Sequence, residues 1–269
     1  MWPVCNMVWR IGDILPVPEQ IEWCRSAGFD GVGLHASPGR PGAWEGIEPA
    51  TCSAVRRREV RNLFASFRMC EVHAPFAIYL RDASLAEGVR QLDPVLDFAG
   101  DIGAKVVTVH ADLPAAGAES ADRWAEAMRA VDARAGNLGL TVGLEILWGF
   151  EMLRAWQLAH VGVTLDVGHM YIIEKGKHLA PFGTIGNAVR HVGENLVHLH
   201  MHDVAELDHI EIGTGRVDFR GLLDALQEVG YNRGMCLEMN PDRVSADGIR
   251  RSLAWLRTDF SRRHSGGMG

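Results

Sequence analysis

Residues 196–203 read LVHLHMHD and place His198, His200 and His202 at every second position, with Val197, Leu199 and Met201 between them and Asp203 at the end. In an extended strand alternate side chains point to opposite faces. The three imidazoles therefore share one face and the apolar residues take the other. Imidazole can act as an acid or base near neutral pH and can bind borderline divalent metals. Other short apolar runs also end on such groups: His35 closes GVGLH, His73 closes MCEVH, His110 closes KVVTVH, Glu145 closes LTVGLE, Asp166 closes GVTLD and Glu238 closes GMCLE. Gathered in one interior, these groups would be costly if left unpaired. A divalent cation removes that cost, because it bonds neutral imidazole and carboxylate together. In DVGHM, His169 follows Asp166 by three residues, within reach of the same place.

The elements that must position these residues follow a regular rhythm. Strands are expected at 3–9, 31–35, 69–73, 105–110, 140–145, 162–166, 196–202 and 234–238. Helices are expected at 18–27, 51–67, 84–102, 119–137, 150–159, 182–194, 219–229 and 245–260. In 84–102, Leu85, Val89, Leu92, Leu96 and Ala99 recur at helical spacing. AGFD, IGAK, LGLT and VGYN each put a glycine where a helix would end. Such alternation of strand and helix argues for a parallel sheet. Eight units in about 260 residues fit a closed (β/α)8 TIM barrel, a single α/β domain over 1–260, with 261–269 as a flexible tail. The rival, an open doubly wound sheet, lacks its G-x-G-x-x-G fingerprint after the first strand. In a barrel, active sites form where strands end and βα loops begin. Seven of the eight expected strands end on an imidazole or a carboxylate, and only the first does not.

Composition narrows the function. A net charge of −7 opposes nucleic-acid binding, which depends on cations neutralising phosphates. The basic run RRREVR at 56–61 reads as a solvated helix face. No apolar run is long enough to span a membrane. The opening MWPVCNMVWR lacks the basic start of a signal peptide, and the five cysteines (5, 24, 52, 70 and 236) show no C-x-x-C. A reducing cytoplasm is the expected location, and buried apolar sites are expected for the thiols. Trp9, Trp44 and Trp148 fall near mouth loops, where a ligand ring could stack on one of them; plain packing is the rival role.

In order and spacing, the segments EVHAPF, VVTVHAD, VGLEI, TLDVGH, VHLHMHD, DHIEIGTGRVDF and GYNRGMCLEMN resemble the xylose isomerase-like TIM barrel superfamily, over about residues 15 to 258. That group includes sugar and sugar-phosphate isomerases and epimerases, inosose dehydratase and endonuclease IV. The resemblance implies a metal tetrad of Glu145, Asp166, His200 and Glu238. His200 is selected within its row because it and Asp203 match the family pattern H-x-x-D. It also implies supporting or substrate-contacting roles for His169 and His209. His198, deeper in the barrel, and His202, at the rim, then flank His200 as hydrogen-bonding neighbours, with packing or a simple polar layer as their rival role. In the epimerase members the two ligand glutamates flank the substrate carbon, so Glu145 and Glu238 become the acid/base pair. The metal, Mn2+, Mg2+, Co2+ or Zn2+, would chelate a hydroxy-ketone and acidify its α-proton, giving an enediolate. His73 and His110 tilt the choice toward Zn2+ or a second metal. The implied partner is a sugar or polyol, and the implied assembly a homo-oligomer.

Three alternatives stand beside an isomerase or epimerase: a dehydratase or lyase on the same enediolate chemistry, an endonuclease IV-like phosphodiesterase, and a non-catalytic barrel that binds a small molecule. For the nuclease, Leu207 stands where the family has an aspartate, with Asp208 offset by one. Gly33 stands where many members have a glutamate, which His35 could replace. Arg216, after the GTG of 213–215, is a candidate substrate contact or a surface ion-pair partner.

Overall fold

The computed structural model describes residues 1–265 apart from 116 and 118. In chain order the elements are β1 (Val4–Val8), α1 (Val17–Ala27), β2 (Gly31–His35), β3 (Gly39–Arg40), β4 (Trp44–Glu45), α2 (Ala54–Phe64), β5 (Met69–His73), β6 (Tyr79–Leu80), α3 (Leu85–Ile102), β7 (Val106–Ala111), α4 (Ala121–Leu138), β8 (Thr141–Glu145), α5 (Phe150–Trp156), β9 (Val161–Asp166), α6 (His169–Ile172), α7 (Ile185–Val192), β10 (Leu196–Met201), α8 (Phe219–Glu228), β11 (Met235–Leu237) and α9 (Ala246–Ser265).

The main sheet runs β5-β2-β1-β11-β10-β9-β8-β7, and β5 also pairs with β7, so eight parallel strands close on themselves. The fold is a (β/α)8 TIM barrel. Its strands are buried on both faces, which is why they read as near-continuous apolar runs. The helices pack outside, and their inward residues, such as Phe98 on α3 and Trp124 on α4, are fully buried against the strands. Truncating either to alanine would cost about 3–5 kcal/mol. The glycines expected to end helices do so: Gly28, Gly103, Gly139 and Gly230 all have positive φ, between 68° and 85°. Among the described residues no helix is long and apolar enough to cross a membrane.

Three elements were not anticipated: the β3–β4 hairpin, β6 and α6. None is long enough to show a period. The hairpin depends on Gly39, at φ 82°, because a Cβ there would lie 2.4 Å from the Trp44 carbonyl oxygen. α5 stops at Trp156, short of 159, because Gln157 takes a left-handed conformation. α7 begins only at Ile185, where the Thr184 hydroxyl caps the Asn187 amide. α9 runs past 260 to Ser265, and the rest of the expected tail, 266–269, lies outside the described residues.

Candidate metal centre and active site

Parallel pairing sets side chains of neighbouring strands at the same level, and two polar clusters form one above the other on the barrel axis. The deeper one centres on Glu71, in the middle of β5. Its Oε1 accepts from His200 Nε2 at 2.7 Å and from the Thr108 hydroxyl at 2.7 Å, and its Oε2 lies 2.9 Å from His198 Nε2. The other His198 nitrogen lies 3.1 Å from the Gly234 carbonyl. Burial pushes the Glu71 carboxyl up, but His198 and His200 outweigh it and hold the group well below the usual carboxylate range. Glu71 is the register partner of Gly33. The carboxylate absent from β2 is thus supplied at the same level by the adjacent strand, while a side chain at Gly33 would collide with Cys236 and Met7. His35, the partner of His73, stacks on it with ring centroids 5.2 Å apart.

The upper cluster is His200 Nδ1, Glu145, Glu238, His73 and His110. His200 Nδ1 lies 2.9 Å from Glu238 Oε2 and 3.4 Å from Glu145 Oε2. Glu145 Oε2 is also 3.4 Å from His73 Nε2 and 3.2 Å from His110 Nε2. Yet His200 Nδ1, Glu145 Oε2 and His73 Nε2 are buried without a partner in hydrogen-bonding geometry among the described residues. They are close in distance and wrong in direction, as groups aimed at a shared centre would be. The sets Glu145–Asp166–His200 and His73–His200–Glu238 each bring their ligand atoms within 4.8 Å of one another.

A third group lies beside them. Asp166 Oδ1 accepts from the His169 amide at 2.7 Å and faces His202 Nε2 at 2.9 Å. The His209 amide donates to His202 Nδ1 at 2.8 Å, which fixes the tautomer: Nδ1 accepts, so Nε2–H donates to Asp166. Two constraints hold that ring. The His209 imidazole stacks on it at 3.9 Å, and Gly168 leaves room for it, since a Cβ there would sit 2.0 Å from His202 Cε1. His169 Nδ1 reaches Asp166 Oδ2 at 3.1 Å and Glu145 Oε1 at 3.5 Å. Burial lowers the His169 basicity, but the Asp166 and Glu145 carboxylates raise it further, to about 10. Glu238 moves the other way: burial raises it, and His200 pulls it down to about 2.

The residues present fit a divalent cation. Oxygen and imidazole donors converge, three of them unsatisfied, and His200 has the arrangement found around metal-bound histidines, with its far nitrogen fixed by a carboxylate. Glu145, Asp166, His200 and Glu238 would hold the ion, with His73 and His110 on the β5–β7 side. A cavity of about 290 Å³ opens above, lined among others by Trp9, Trp44, Phe76, Glu145, His209 and Glu238.

Nearly every residue singled out in the sequence comes to this mouth. Arg216 does not: it donates to the Tyr171 carbonyl at 3.1 Å and lines neither mouth cavity. Leu207 is 54% exposed, and Asp208 is engaged by Arg243 and His209. Asp203 is structural. It accepts from the amides of Val204, Gly213, Gly215 and Val217, and so ties down the loop after β10. Glu71 is not among the strand-end residues that the sequence singles out, because it lies in mid-strand. The signal was available: it sits two residues before His73, on the same face of β5.

The chain belongs to the xylose isomerase-like TIM barrel family, whose model matches residues 21–259. Among curated proteins, an L-ribulose 3-epimerase of Mesorhizobium japonicum is 28% identical over 193 residues, covering 64% of this chain and 60% of that one. The chain spans 60% to 63% of the length of the curated relatives it matches. Among solved structures, a xylose isomerase domain protein of Planctomyces limnophilus has a TM-score of 0.75 at 16% identity, over 97% of both chains. D-psicose 3-epimerase of Clostridium cellulolyticum H10 gives 0.71 at 18%, over 97% of this chain and 98% of that one. At such identities these structures speak for the fold alone.

Proposed function

We propose that this chain is a divalent-metal-dependent epimerase or isomerase of a ketose or related hydroxy-ketone. The observation that carries the reading is the pair of carboxylates, Glu145 and Glu238, that face His200 Nδ1 across the barrel mouth, on strands separated by β9 and β10. A divalent cation held by Glu145, Asp166, His200 and Glu238 would supply Lewis acidity toward a vicinal carbonyl and hydroxyl. Glu145 and Glu238 then act as a proton-transfer pair. One takes the proton from the carbon beside the carbonyl, and the other returns one to the opposite face or the neighbouring carbon. Their depressed basicity suits this role only with an acidified substrate. Trp9, Trp44 and Phe76 give the cavity an aromatic wall. The L-ribulose 3-epimerase relative supports the same class. A DNA phosphodiesterase is less well supported, given the net charge of −7 and Leu207 in place of a ligand.

The test is incubation of metal-loaded protein with a panel of ketoses in D2O, followed by NMR. Metal-dependent deuterium entry at the carbon beside the carbonyl, with appearance of the epimer, is expected. Absence of exchange with every metal and ketose would overturn the reading, and loss of water without epimer would replace it with a dehydratase.

A further inference from the structure

The barrel mouth has a second cavity, of about 390 Å³, bounded by Tyr79, Asp112, Leu147, Trp148, Ile173 and His178. His110, Glu145 and His169 line both cavities, so the two adjoin at the proposed metal centre. Glu238 lines only the first. A carbon placed between the two acid/base carboxylates therefore lies in the first cavity, and a substituent on that molecule extends past Glu145 into the second.

We infer that the second cavity is a subsite for a neutral second ring, so that the substrate is a ketose carrying a glycosyl substituent rather than a free monosaccharide. The inference rests on the proposed function for what occupies the first cavity. Two observations on the second cavity support it. The first is its aromatic wall. Trp148 is 39% exposed and Ile173 is 38% exposed, although both line a concavity. The Trp148 ring is braced by His178, with centroids 4.9 Å apart and planes within 21°. A braced, half-open indole is a platform for the C–H face of a sugar ring, whose burial there removes apolar surface from water. The second is the polar lining. Among the described lining residues there is no lysine or arginine; Asp112 and the imidazoles of His110 and His178 offer hydrogen-bonding groups, and Glu174 is already paired with Lys177. Carboxylates accept from hydroxyls and imidazole can donate or accept, so the lining suits a polyhydroxylated ring.

The experiment is calorimetric titration of the metal-loaded full chain with two free ketoses, D-fructose and D-tagatose, and with three neutral disaccharides whose reducing unit is a ketose, lactulose, leucrose and isomaltulose. Their glycosidic bonds leave from three different oxygens, so at least one should direct its second ring past Glu145. The expected result is about tenfold tighter binding of at least one disaccharide than of either free ketose. In Trp148→Ala the ratio of disaccharide to ketose affinity should fall toward one. A wild-type ratio near one for all three disaccharides, including no binding by any of them, overturns the subsite. So does a ratio that Trp148→Ala leaves unchanged, or a Trp148→Ala protein whose altered oligomeric mass shows that a second copy covers this wall. The two readings fail separately. Solvent exchange without a disaccharide preference removes only the subsite, and a disaccharide preference without solvent exchange removes only the epimerase.

Discussion

The two polar clusters on the barrel axis use the same residue types to opposite ends. Around Glu71 both carboxylate oxygens are occupied, by His198, His200 and Thr108, at 2.7–2.9 Å. Around Glu145 the contacts lengthen to 3.2–3.5 Å, and three atoms have no hydrogen-bond partner among the described residues. The lower cluster is sealed within the barrel and the upper one borders the mouth cavity, but the sharper difference is satisfaction. A buried cluster that satisfies itself is scaffold, whereas one that cannot needs a cation or protons. His200 belongs to both, with Nε2 in the lower and Nδ1 in the upper, so the lower cluster fixes the direction of the upper one's ligand.

This contrast can be broken at either level. Glu145→Gln or Glu238→Gln removes one of the two proposed acid/base groups, so turnover should fall by about 10²–10⁴-fold while the circular dichroism spectrum stays native. Glu71→Ala strands two buried imidazoles and should cost about 3–5 kcal/mol in chemical denaturation. Metal-free Glu145→Gln should lose well short of that, and equal losses would erase the distinction between scaffold and site. The milder Glu71→Gln should weaken metal binding by about 10–100-fold, measured against a competing chelator, because His200 loses the carboxylate that orients it. pH sharpens the same point. Burial lowers the His200 basicity, but Glu238 and Glu71 raise it well above the ordinary imidazole value. A proton would therefore compete with the proposed metal for Nδ1, and metal affinity should fall by up to about tenfold per pH unit as pH drops below that raised value. Arg216→Ala, outside both clusters, should leave turnover within about twofold.

Much of this was legible in the sequence. The strand ends read as a mouth because the period of two and the Gly-ended helices fix both the elements and their direction, and His73, His110, Glu145, Asp166 and His200 meet there. Glu71 escaped because a carboxylate in mid-strand carries no end-of-strand signal, and its partners lie 127 and 129 residues away along the chain. The His202 tautomer depends on the His209 amide, which a loop with left-handed His209 delivers at φ 51°. No local pattern encodes that approach. The β3–β4 hairpin, which brings Trp44 over the site, was equally silent, since two-residue strands have no periodicity to read.

Beside and below Glu71 the barrel interior changes character: Met7 lies at its level through Gly33, and Met69 two residues lower on the same strand. Cys5, Met7, Met69, Val106 and Cys236 form a buried cluster of their own, four of the five carrying sulfur. Burial pushes the Cys5 and Cys236 thiols up, so they stay neutral. Both mouth cavities open on the other side, beside Glu145. Under the proposed function, a sugar bound there would stand between the two carboxylates and the solvent and would act as a stopper. An isotope label lifted from its carbon should then tend to return to that molecule before it is lost to the surrounding water.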